Sequence, residues 1–108
     1  MKHDVIIIGG SYSGMAAALQ LLRARRSVLI IDGGKRRNRS ASHSHGFLAQ
    51  DGVDPAELAR VARTQLEAYP TLAWLDGEVE QATGAMDDFQ VACGGTTYSA
   101  RRLLLAIG

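Results

Sequence analysis

Cysteine, an excess of charge of one sign, and long apolar runs are all scarce in this chain. Cys93 is its single cysteine, so neither an intrachain disulfide nor a CxxC redox pair nor a thiolate metal cluster can be built from it. Within the alternation Phe89, Val91, Cys93 it reads as a small apolar residue of a strand. Lys and Arg number 12 against 11 Asp and Glu, a net charge of +1, which argues against nucleic acid as a principal partner. The first apolar run, Val5-Ile6-Ile7-Ile8, is too short for a signal h-region or a membrane span. A cytoplasmic protein with no membrane partner is therefore expected. His43 and His45 lack a third ligand at metal spacing, so no metal site is expected. With 108 residues, 46% of them hydrophobic, the chain can bury one core and form no more than one domain.

What is present is concentrated at the start. Four β-branched residues, Val5 to Ile8, suit a strand buried on both faces of a parallel sheet. They run directly into Gly9-Gly10-Ser11-Tyr12-Ser13-Gly14. In a dinucleotide-binding turn the first glycine permits the tight bend, the middle position lets backbone approach the pyrophosphate, and the last lets the helix pack against the strand. Gly9 and Gly14 match, whereas Ser11 takes the middle place, where its hydroxyl can donate to a phosphate oxygen. Met15 to Arg25 predicts a helix with Met15, Ala18, Leu19 and Leu22 on one face, its N-terminus turned toward the phosphates. A second strand, Val28 to Ile31, ends on Asp32, near the roughly 20-residue spacing of the acid that binds a ribose diol. A carboxylate there accepts two hydroxyl bonds and repels a 2′-phosphate, so these residues point to FAD or NAD.

Past Asp32 the chain changes character. Gly33 to Asp54 has little periodicity and carries Lys35-Arg36-Arg37-Asn38-Arg39 and His43-Ser44-His45-Gly46-Phe47. Long irregular stretches in compact domains are usually functional or disordered. The basic cluster suits either a solvated loop or neutralisation of a cofactor phosphate. Asp54-Pro55-Ala56-Glu57 is a helix start, with a cap, a proline at the first position and an acid at the third. That helix should run to about Ala68, with Leu58, Val61, Ala62 and Leu66 as its apolar stripe. Short strands follow at Leu72 to Leu75, Glu78 to Ala82, Asp88 to Cys93 and Thr96 to Ala100, with Gly94-Gly95 as a hairpin turn needing positive φ. Three strands in sequence before a final buried one, Arg101 to Ala106, predict an antiparallel meander crossing over the nucleotide sheet. The fold class expected is α/β, a Rossmann-like three-layer domain with a parallel sheet and a meander crossover, incomplete at its C-terminus.

Four blocks in order, DVIIIGGSYSGMAAALQL, VLIIDGGKRRNR, SHSHGFLAQDG with DPAEL, and RRLLLAIG, resemble the N-terminal FAD-binding part of bacterial thioredoxin reductase-like FAD/NAD(P)-dependent oxidoreductases. The resemblance extends over essentially all of the chain. It implies that Gly9, Gly10, Ser11, Tyr12, Ser13 and Gly14 form the pyrophosphate loop and that Asp32, with Gly33 beside it, is the ribose acid. By the same likeness Lys35, Arg37 and Asn38 lie along the FAD, and His45 lies near the isoalloxazine. Val79 is implied to meet the adenine through its backbone. Ala106, Ile107 and Gly108 match an Ala-Thr-Gly block, Ile107 replacing its threonine.

The resemblance implies FAD as cofactor and NAD(P)H acting through a domain that this chain does not contain. Gly33 to Gln50 holds no cysteine, which disfavours the glutathione reductase-like subclass. In the family the FAD domain is interrupted by the nicotinamide domain and completed by a C-terminal segment. Residues 1–108 are therefore expected to be the N-terminal part of a single FAD-binding domain, without a catalytic residue of its own and not competent alone. An unfinished sheet should pair with another copy, as a dimer or a strand-exchanged assembly. The alternative is a non-enzymatic or degenerate dinucleotide-binding module. An NAD dehydrogenase or a methyltransferase is disfavoured, since a helix and parallel strand would replace the meander.

Overall fold

The computed structural model describes residues 2–33 and 55–106. In chain order they form β1 (Lys2–Ile8), α1 (Tyr12–Arg23), β2 (Val28–Asp32), α2 (Pro55–Leu66), β3 (Leu72–Asp76), β4 (Val79–Ala85), β5 (Asp88–Cys93) and β6 (Thr96–Leu105). The six strands make one sheet in the order β3-β2-β1-β6-β5-β4. β1, β2, β3 and the second half of β6 run parallel, whereas β4, β5 and the first half of β6 are antiparallel.

The apolar run of β1 alternates between two cores, as the period of a strand requires. Ile7 joins Val28 and Ile30 on the face covered by Met15, Ala18 and Leu22 of α1 and Leu66 of α2. Ile6 joins Leu29 and Ile31 on the opposite face, against Val91, Cys93 and Ala100. The second face is thus covered by the antiparallel half of the sheet. Chain connectivity requires this. β3 and β4 are the two edges of the sheet, about 24 Å apart if it were flat, yet only Gly77 and Glu78 join them. Three Cα steps reach at most about 11 Å, so the sheet rolls until the end of β3 approaches the start of β4. Helices, parallel strands and curled meander make the three layers expected.

Several boundaries differ from the sequence reading. α1 begins at Tyr12, not Met15, because Ser11 caps it. It ends at Arg23, since Arg25 adopts φ +63° while Arg25 N–H and Arg26 N–H donate to the carbonyls of Leu22 and Leu21, the paired bonds of a Schellman close. α2 ends at Leu66, not Ala68, and its buried side is Ala59, Ala62 and Leu66; Val61 is 41% exposed. β3 lies parallel to β2 in full register, leaving the meander to β4, β5 and β6. The two strands expected from Thr96 to Ala106 are one, since no glycine, proline or turn residue separates Ala100 from Arg101. Nor is its second half buried throughout, because β5 flanks β6 only as far as Ala100; Leu105 is 65% exposed, although Ala106 just beyond it is buried. The hairpin turn at Gly94 and Gly95 has the positive φ expected, +60° and +81°. Among the described residues no helix is long and apolar enough to cross a membrane.

Candidate functional site

Each glycine of the turn between β1 and α1 answers a distinct steric demand. Gly9 bends the chain at φ +114°, a conformation that a side chain disfavours, and its N–H donates to the Ile31 carbonyl at 2.8 Å. Gly10 is buried against the acid at the tip of β2. A Cβ there would sit 2.5 Å from Cγ of Asp32. At Gly14 a Cβ would fall 2.6 Å from the Gly9 carbonyl oxygen and 3.0 Å from Cβ of Ala106, so the helix can pack this close only with glycine. The turn, the acid and the end of β6 converge on one point, where α1 begins. The first turn of a helix offers backbone N–H groups and partial positive charge to an anion.

Ser11 has partners both in the turn and at the end of β6. Its Oγ accepts from Gly14 N–H at 3.3 Å and donates to the Ala106 carbonyl at 2.8 Å. Ser13 Oγ lies 3.0 Å from it. Tyr12 is 42% exposed and Ser13 is exposed, both on the outer side of the turn. Ala106 N–H in turn donates to the Ile8 carbonyl at 2.8 Å.

The Asp32 end of the site is closed by the roll of the sheet. Gly77 N–H donates to the Asp32 carbonyl at 2.9 Å, and a Cβ on Gly33 would lie 3.2 Å from Oε1 of Glu78. Val79 follows at once, its half-buried side chain in the meander-side core and its register with Cys93 broken by a bulge before Gln81. Gly9, Gly10, Ser11, Gly14, Asp32, Gly33, Val79 and Ala106 are therefore gathered along one rim. Lys35, Arg37, Asn38, His45, Ile107 and Gly108 lie outside the described residues, as does the Asp54 cap.

On the helix side of Asp32 the structure adds residues that the sequence reading did not single out. Gly10, Met15, Asp32, Arg60, Arg63 and Trp74 line a recess of about 220 Å³. The Arg63 guanidinium stacks over Trp74 at 4.2 Å and lies 3.7 Å from Asp76, to which Trp74 Nε1 donates at 3.1 Å. Arg60 is bound by Glu57, whose carboxyl is held below its usual range by that guanidinium. Arg60 and Arg63 share a face by i, i+3 spacing, the one signal that pointed to them.

A pyrophosphate and ribose fit this arrangement. The cradle is kept free of side chains where backbone must approach an anion, and a carboxylate stands at the tip of the neighbouring strand. A sequence model described as "FAD dependent oxidoreductase" matches residues 4–103. A "probable thioredoxin reductase" of Arthroderma benhamiae is 34% identical, covering 99% of this chain and 28% of that protein. Thioredoxin reductase tcpT of Claviceps purpurea is 33% identical over 97% of this chain and 34% of its own length. The crystal structure of an oxidoreductase from Agrobacterium tumefaciens superposes with a TM-score of 0.96 at 56% identity, over 100% of this chain and 37% of that one. The chain spans about a third of the length of these relatives.

Proposed function

Because the chain belongs to the FAD dependent oxidoreductase family, in its thioredoxin reductase-like branch, we propose that it is the FAD-binding portion of an enzyme that moves electrons between NAD(P)H and a disulfide or similar acceptor. The observation that carries this reading is the contact between Gly10 and Asp32 at the head of α1. A bare backbone turn and a carboxylate stand side by side there, a pairing that supports a dinucleotide. FAD, when bound, supplies the two-electron redox chemistry. The residues of this chain bind and orient it. The turn from Gly9 to Gly14 meets the pyrophosphate, Asp32, with Gly33 beside it, accepts the ribose hydroxyls, and Val79 meets the adenine through its backbone. Lys35, Arg37, Asn38, His45 and Gly108 are assigned to the cofactor on the family resemblance alone.

On the same reading residues 1–108 are one part of a single FAD-binding domain, and the nicotinamide site belongs to the length of the relatives that this chain does not match. NADH or NADPH is therefore not selected by Asp32. Self-association belongs to the proposal as well. Beyond Ala100, β6 has β1 as its partner among the described strands, and Leu104 and Leu105 are exposed, which favours pairing with another strand. The test is the visible spectrum of the longest natural product of the gene. A yellow protein whose flavin bleaches under NADH or NADPH is expected. A colourless product that takes up no added FAD would overturn the reading and leave a degenerate nucleotide module.

A further inference from the structure

The middle position of the turn is the place where the dinucleotide fingerprint has glycine, yet this chain puts Ser11 there. A serine hydroxyl has one proton and two lone pairs, and all three are committed. The proton goes to the Ala106 carbonyl at 2.8 Å. One lone pair takes Gly14 N–H at 3.3 Å, which leaves Ser13 Oγ, 3.0 Å away, to donate to the other. Ala106 is thereby held at both backbone polar atoms, its N–H on Ile8 and its carbonyl on Ser11. The bond from Ser11 to Ala106 joins residues 95 apart in sequence.

We propose that Ser11 is a positioning residue whose hydroxyl latches the glycine turn to the end of β6, holding in register the two backbone segments that meet at the pyrophosphate cradle. This rests on reading the cradle as the FAD site. Glycine at the same place keeps the Ala106 N–H on Ile8 but frees the Ala106 carbonyl from the turn, so restoring the fingerprint glycine weakens the site. The cofactor phosphates are then met by backbone N–H groups of the turn, not by this hydroxyl.

The latch and a plain helix cap are separable. Ser11→Thr keeps donor and acceptor; Ser11→Asp keeps the cap acceptor but has no proton to give Ala106 at neutral pH; Ser11→Ala and Ser11→Gly lose both. Amide hydrogen exchange of the unliganded chain, read at Gly14 and Ala106, is followed by FAD titration monitored through flavin fluorescence. In Ser11→Ala and Ser11→Gly both amides should exchange about tenfold faster and FAD should bind about tenfold more weakly. Ser11→Thr should match the natural chain. Ser11→Asp should protect Gly14 but not Ala106. If Ser11→Ala does not fold, the Thr and Asp pair still decides. Unchanged exchange at Ala106 in Ser11→Asp, or FAD binding by Ser11→Gly as tight as by the natural chain, would overturn the latch. The titrations use the longest natural product of the gene, and its failure to bind FAD would count against the FAD reading, while the exchange arm still judges the latch.

Discussion

At the scale of single residues, the site depends on side chains that are missing. Gly10→Ala sets a Cβ 2.5 Å from the Asp32 carboxyl carbon. Rotating Asp32 moves its carboxyl away, but its own Cβ would still lie 2.8 Å from the added one, so the backbone of the turn must shift as well. We expect the melting temperature to fall and FAD affinity to drop about tenfold or more, the loss of hydrogen bonds to a charged group. Paired thermal melts and fluorescence titrations would check this; a melting temperature and an affinity both unchanged would mean that the turn accommodates the methyl group. His3 acts at the other pole of the sheet. It is 8% exposed, with Nδ1 3.2 Å from Ser27 Oγ, and burial is the main cause of a pKa below its ordinary value. Below pH about 6.5 the unfolded chain therefore takes up a proton that the folded chain resists. Stability should fall as pH is lowered through that window and should do so less steeply in His3→Gln. Urea unfolding at pH 5.5 and 7.5 measures both slopes.

At the scale of elements, the closes and turns carry the strain. Arg25 occupies the left-handed position after α1 at φ +63°, where glycine is the usual residue. Arg25→Gly should stabilise the chain by about 0.5–1 kcal/mol, because the left-handed penalty on a side chain exceeds the added freedom of the unfolded state. A urea midpoint that falls instead would show that the Arg25 stem packs on α1. The β4 to β5 hairpin shows the opposite case. Gly84 stands at φ +127° with a Cβ position 2.2 Å from the Asp88 carbonyl oxygen, so nothing larger fits. That glycine lay past the strand read from Glu78 to Ala82, since periodicity marks where a strand alternates and not where its backbone must twist. The helix start at Pro55 and the turn at Gly94-Gly95 were legible, because their signals are local.

At the scale of the whole molecule, the roll of the sheet governs both core and site. It brings the β3–β4 connection against β5, where a Cβ on Gly77 would lie 3.0 Å from Cys93 Sγ, and it seals that thiol to 4% exposure. Cys93 is thus a reporter of the curled half. A thiol reagent should label it about a hundredfold or more slowly in the native chain than in urea, because reaction must await opening. FAD binding should slow it further, since a ligand that binds only the folded state lowers the open population. Labelling at the rate of a free thiol would mean that the meander does not close over the parallel strands.

Local sequence already specifies the strand, glycine turn, helix, strand and acid of the opening segment, and with them the candidate site. Each of those features is set by neighbours within a few turns of chain, where sterics and periodicity act directly. The parallel run of β3 beside β2, the roll of the sheet, and the gathering of Arg60, Arg63 and Trp74 beside Asp32 came from long-range packing. Long-range packing also joins the Ser11 hydroxyl to the Ala106 carbonyl. These depend on which distant segments meet, and that follows from closing two sheet edges with a two-residue connection, a constraint that no local pattern carries.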